Sequence, residues 1–179
     1  MTDILVVRSG WEPGALLPDI PSFFQPLNIR IMKNTKNKTG QELSYYGFSL
    51  LSYVKENHPE RTADTTFIKE RADAAAETYS NAVKNGQTHI EAEELASEVL
   101  YQGLHFSAYN TLVHILWNEF SGEIPEERAK EIALQMLTQC SEVLDKYTLT
   151  DDFESTSQYD ELYTELTGTV EILFEDGLQ

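Results

Sequence analysis

The stretch LHFSAYNTLVHILWNEF, Leu104 to Phe120, carries two histidines (His105 and His114), one glutamate (Glu119) and four large aromatics (Phe106, Tyr109, Trp117 and Phe120) within 17 residues. An unperturbed histidine titrates near neutral pH, so a histidine facing a carboxylate is a candidate general acid or base. With Tyr163 from the C-terminal region, His105, His114 and Glu119 make up a candidate pocket for an enzyme. The spacing speaks against chemistry. A helical zinc pair needs histidines three or four residues apart, and His105 and His114 are nine apart. A di-iron bundle needs Glu three residues before His, but those positions hold Lys55, Gly86, Gln102 and Thr111. HExxH, the GK[ST] phosphate loop, GxGxxG and GxSxG are all missing. No catalytic residue, metal or cofactor is assigned. The favoured reading is a core helix: Phe106, Tyr109, Trp117 and Phe120, with Leu112, Val113 and Leu116, fill an interior, and the histidines are structural.

Two further groups of reactive residues read the same way. Cys140 lies on an apolar stripe, where a free cysteine acts as a small hydrophobe, and no electropositive setting activates it. Asp151, Asp152 and Glu154 could offer oxygens to a hard cation, but their spacing is not an EF-hand, and capping of a turn is the favoured role.

The elements that would position these residues are helical. Asn85-Gly86, Gly103, Ser121-Gly122 and a polar link at 148–157 punctuate segments with apolar residues at three- and four-residue spacing. The first helix places Leu43, Tyr46, Leu50, Leu51 and Val54 on one face and ends near His58-Pro59. Asp64 caps a second helix, Thr65 to Lys84, burying Phe67, Ile68, Ala72, Ala75, Ala76, Tyr79 and Val83. A third, His89 to Tyr101, buries Ile90, Leu95, Val99 and Leu100 and turns Glu91, Glu94 and Glu98 outward. Ser107 caps the fourth, Ala108 to Phe120. A fifth begins with Pro125 at its first position and runs five turns through Ala129, Ile132, Ala133, Met136, Leu137, Cys140, Val143 and Leu144. Ser157 caps the sixth, with Asp160 completing a capping box. The expected fold is all-α: about six helices in one orthogonal or bundle-like array over residues 40–179.

Residues 1–39 stand apart. Four of the six prolines fall within the first 26 residues, followed by the basic run RIMKNTKNK. The reading is a poorly ordered arm, or sequence upstream of a true start at Met32. The single cysteine excludes an internal disulfide, and neither a secretory signal nor a membrane span is visible. A cytoplasmic location is expected.

The charge is uneven. Residues 1–61 hold seven Lys/Arg and six Asp/Glu, whereas residues 62–179 hold six and 24, a net of −18. Such a surface repels nucleic acid and anionic membranes and suits a basic protein partner.

Three phrases, ELSYYGFSLLSYVKENHPER (42–61), GLHFSAYNTLVHILWNEF (103–120) and YTLTDDFESTSQYDELYTELTGTVEILFE (147–175), resemble a domain-of-unknown-function family of Bacteroidetes. The resemblance covers about 41–178. It implies a short, all-helical protein of a kind often carried on conjugative or integrated mobile elements, and it implies no reaction. Family members begin shortly before ELSYYG, which favours the Met32 start.

The function expected is that of a non-enzymatic, acidic accessory protein meeting a basic protein through Glu91, Glu94, Glu98 and Tyr45. A DNA mimic, an enzyme using His105, His114, Glu119 and Tyr163, and a homodimer are the alternatives kept open.

Overall fold

Ser44 starts the first helix by local chemistry: its hydroxyl accepts the Gly47 N–H at 3.1 Å, and α1 runs Tyr45–Asn57. The structure, a computed structural model, describes residues 35–36 and 42–177. The chain divides between Lys33 and Asn34, so the expected arm and the Met32 start lie outside the described residues apart from Thr35 and Lys36. These two pair antiparallel with Glu42–Leu43, in the register Thr35 with Leu43 and Lys36 with Glu42. Leu43, expected on the inner face of α1, belongs to this short ladder instead.

α1 turns Tyr46, Leu50 and Val54 inward and stops at His58, because the following Pro59 disfavours a helical residue before it. A 3₁₀ turn, Pro59–Arg61, leads to α2, Thr65–Lys84, whose N-cap Asp64 accepts the Phe67 N–H at 3.0 Å. Gly86, at φ 87°, takes the left-handed conformation that ends α2 and lets the chain reverse. α3 follows as His89–Tyr101.

The contact of α2 with α3 is made from small residues. α2 buries Ile68, Ala72, Ala75 and Ala82; α3 buries Ala92, Ala96 and Leu100. This corrects the expected α3 face. Ile90 is 74% exposed, and Leu95 and Val99 are only half-buried. The alanines take the inner stripe because they let the backbones approach. Ile90, two residues before Ala92, lies roughly 200° round the helix from it and points outward. On α2, Ala76 is likewise exposed and Ala82 is buried in its stead.

α4, Ala108–Glu119, is the central helix. Ser107 caps it by accepting the Asn110 N–H at 3.0 Å, and Tyr109, Thr111, Leu112, Val113, Ile115 and Leu116 are buried. Trp117 is a correction: it is 36% exposed, its indole N–H reaching the Glu126 carbonyl at 3.4 Å. Positions 114, 117 and 118 share an exposed sector of α4.

The expected fifth helix is two. α5 spans Glu126–Gln139 and α6 Ser141–Leu144, with Cys140 between them at φ −86°, ψ 0°. The Ser141 hydroxyl donates to the Thr138 carbonyl at 2.8 Å, a local bond that competes with the helical ladder. Pro125 is the N-cap, one residue ahead of its expected place. A 3₁₀ turn at Phe153–Ser155 leads into α7, Ser157–Glu175, which buries Leu162, Leu166 and Val170. Its N-cap is Thr156, without a side-chain cap bond, so the expected Ser157–Asp160 box does not form. The Thr156 hydroxyl is already donated to the Phe153 carbonyl at 2.8 Å.

Two apolar clusters result. One joins α1, α2 and α3 with Leu104; the other joins α4 to α7 with Phe106, Phe120, Ile124 and Phe153. Among the described residues the fold is seven α-helices and one two-residue ladder.

Candidate functional site

The loop between α3 and α4 is held from both sides by polar groups. The buried Leu104 carbonyl accepts the Tyr53 hydroxyl at 3.0 Å and lies 2.8 Å from His58 Nε2. A carbonyl only accepts, so Nε2 carries the proton. Ser107 donates its hydroxyl to the Asn57 carbonyl, and Asn110 donates its amide to Asn57 Oδ1 at 2.9 Å. From the other side, Asp151 accepts the N–H of Gly103 at 2.8 Å and of His105 at 3.0 Å, and sits 3.1 Å from His105 Nδ1. Desolvation pushes the Asp151 carboxyl up, but the two backbone N–H groups and the His105 ring outweigh it and hold it below its ordinary value.

His105 is thus a partner of Asp151, 46 residues away, and fastens a loop. Asp152 is committed as well, accepting the Thr150 hydroxyl at 2.6 Å. No group of three or more His, Cys, Asp or Glu among the described residues is placed to hold a metal ion.

Of the candidate pocket, the structure joins only two members. The Tyr163 hydroxyl donates to Glu119 at 3.1 Å and accepts from Asn118 at 3.5 Å. Burial raises the Tyr163 pKa; the Asn118 bond opposes that and Glu119 adds to it, so the phenol stays protonated near neutral pH. His114 is exposed with its ring 6.2 Å from that of Trp117. Among the described residues no hydrogen bond or ion pair links His105 or His114 to Glu119 or Tyr163. A shallow open depression lies on α7, lined by Asp160, Glu161, Thr164 and Glu165 rather than by any of the four. Cys140 is buried, and burial pushes its thiol up to about 11, which keeps it un-ionised.

The acidic face has more structure than its pattern suggested. Glu91 is half of a capping box: its carboxylate accepts the Thr88 N–H and hydroxyl, each at 2.8 Å, while Thr88 Oγ1 accepts the Glu91 N–H at 3.3 Å. The Thr88 backbone bond, then its hydroxyl, lower the Glu91 pKa. The Thr-x-x-Glu pattern at 88–91 is the local signal of this box. Glu94 and Glu98 are exposed. Beside them Glu93 accepts the Tyr46 hydroxyl at 2.9 Å, and burial followed by that bond drives the Tyr46 pKa upward. Tyr45 is 42% exposed and packs edge-on to Tyr46 with centroids 5.3 Å apart. Of these aromatics, the sequence points to Tyr45 as a surface residue and to Tyr46 as one of the inner face. The pairing of Glu93 with Tyr46 is not legible in the sequence, because the two residues lie 47 positions apart.

A family model described as a domain of unknown function, DUF1896, matches residues 38–177. The chain belongs to the DUF1896 family. This DUF1896 domain is similar to protein PG0816 from Porphyromonas gingivalis, known from its crystal structure, at 46% identity and a TM-score of 0.71. The match covers 74% of this chain and 90% of that one. The family expected from the three phrases is therefore of the kind found, with a Bacteroidetes relative. Among curated proteins none matches. No helix of the described part of this DUF1896 domain is long and apolar enough to cross a membrane.

Proposed function

We propose that this domain is a non-enzymatic accessory protein, carried on a mobile element, that binds a basic protein through the side of the molecule formed by α1 and α3. The carrying observation is the exposure of Glu94, Glu98 and Tyr45 on that side, on an α3 without a single Lys or Arg. Carboxylates steer a basic partner, and tyrosine supplies contact area at little entropic cost. Glu91 contributes charge but is anchored as a cap, so Glu94 and Glu98 are the freer pair. The enzyme reading loses support from the separate settings of His105 and His114.

The test is quantitative capture of basic proteins from the native host, comparing the wild type with Glu94→Lys/Glu98→Lys. Loss of a reproducible basic partner in the reversal is the expected result. If His105→Ala or His114→Ala removes the protein's cellular effect while the reversal changes nothing, the binding reading is wrong and an enzyme takes its place.

A further inference from the structure

α1 and α3 lie side by side and point the same way. Tyr46 donates to Glu93, and about two turns further along both helices the Tyr53 and Tyr101 rings meet with centroids 4.8 Å apart. Ser49 and Ser97, both half-buried, lie midway along this line. The Tyr101 pKa is raised by burial and then by Tyr45, Tyr53 and Glu93, and that of Tyr45 by burial and then by Glu93, which puts the three phenols and the carboxylate in one neighbourhood. Among the described residues this line thus runs from Tyr46 and Glu93, past Ser49 and Ser97, to Tyr53 and Tyr101.

Large apolar side chains stand exposed on either side of this strip. Phe48, 55% exposed, is three residues from Tyr45 on α1; Ile90, 74% exposed, is three residues from Glu93 on α3. Residues three apart are surface neighbours on a helix. Exposed apolar groups ringed by charge are the composition of an interaction site. The ring here is mainly acidic. The two helices carry Glu56, Glu91, Glu93, Glu94 and Glu98 against Lys55.

We infer that this strip docks an amphipathic basic helix of a protein partner. Its apolar residues, at three- and four-residue spacing, would cover Tyr45, Phe48 and Ile90, and its lysines or arginines would face Glu94 and Glu98. Charge selects this occupant over others: a second copy of the chain would bring the same carboxylates, and an anionic lipid surface would be repelled. The inference deepens the proposed function and rests on it.

Two labelled peptides of identical leucine and lysine composition test it by fluorescence anisotropy. One has its leucines on a single helical face; the other is a scramble without a face. The faced peptide should bind the full-length protein about tenfold more tightly or better. Phe48→Ser/Ile90→Ser, whose helical circular dichroism and melting are checked first, should remove that advantage, and Tyr45→Ala should reduce it. Glu94→Lys/Glu98→Lys should weaken both peptides and flatten the salt dependence. Equal binding of the two peptides, or an advantage untouched by Phe48→Ser/Ile90→Ser, overturns the inference and leaves the basic-partner reading standing. Failure of both peptides to bind overturns both. A wild-type dimer that Phe48→Ser/Ile90→Ser converts to monomer in sedimentation would assign the strip to a second copy, which also overturns it.

Discussion

The two halves of the molecule are packed with different materials. α1 to α3 meet through Ala72, Ala75 and Ala96, around Leu50, Val54, Ile68 and Leu100. α4 to α7 interlock large side chains: Leu112, Ile115, Leu116, Met136, Leu162, Leu166 and a set of rings about Phe153. Phe153 lies 5.0 Å from Phe106, 5.9 Å from Tyr147 and 6.4 Å from Tyr159, centroid to centroid. Alanine packing fixes backbone spacing but buries little apolar area per residue, whereas aromatic packing buries much. Among the described residues, the first half also holds the most exposed aliphatic residue, Ile90, and the most exposed aromatic one, Phe48, beside its acids. The larger buried side chains therefore lie mostly in α4 to α7, and the docking surface proposed above lies on α1 and α3. The polar seam at Leu104 joins the two.

The sharpest way to break this comparison is in the ring set. Phe153 is 1% exposed, and truncating a buried phenylalanine costs about 3–5 kcal/mol. Phe153→Ala should lower the melting temperature by about 10 °C or more. In the alanine interface Ala96→Gly should cost about 1 kcal/mol, the helix-propensity term. Equal losses in denaturant midpoint would mean that the halves contribute alike.

Next in size is the seam. Asp151→Asn weakens three charge-assisted contacts of a part-exposed carboxylate, for a loss of about 1–2 kcal/mol at pH 7. The folded carboxyl has a pKa below its ordinary value. Its contribution is thus complete above the usual carboxylate range and is lost as the pH falls through the folded value. The gap in urea midpoint between wild type and Asp151→Asn should accordingly narrow from pH 7 to pH 3. A gap independent of pH would remove the charge from the explanation.

Trp117→Ala should cost only about 1 kcal/mol, because the side chain is already part-exposed and its neighbours at 113, 116 and 120 hold the interior. A collapse of the thermal transition would return Trp117 to the core. Smallest of all, Glu94→Lys/Glu98→Lys should shift stability by about 0.5 kcal/mol or less per site. Glu91→Lys should shift it more, since it dismantles the capping box; melting curves of the two variants side by side decide this.

Much of the scaffold was legible in the chain. Asp64 and Ser107 cap α2 and α4 as read, and Gly86 ends α2, because these interactions join residues within three or four positions of each other. The boundaries of α5 and α7 were misread where a second local bond competed: Ser141 with Thr138, and Thr156 with Phe153. The candidate pocket could not be judged in this way. Which partner His105 takes depends on Asp151, and whether Tyr163 meets Glu119 depends on how α7 crosses α4.

By itself the sequence determined that the domain is helical, where most helices begin and end, and that its charge lies after residue 61, since periodicity, capping and composition are local or additive quantities. Only the tertiary structure decided which face of each helix is inside. An amphipathic stripe is wide enough to be turned by one residue, and the neighbour's side-chain size then selects the angle. Alanines drew α2 and α3 together and put Ile90 into water, and the packing around α4 left His114 and Trp117 exposed. The pairing of Tyr46 with Glu93 and of Asp151 with the Gly103–His105 loop was decided there too, because each needs two segments more than 40 residues apart to be held at bonding distance.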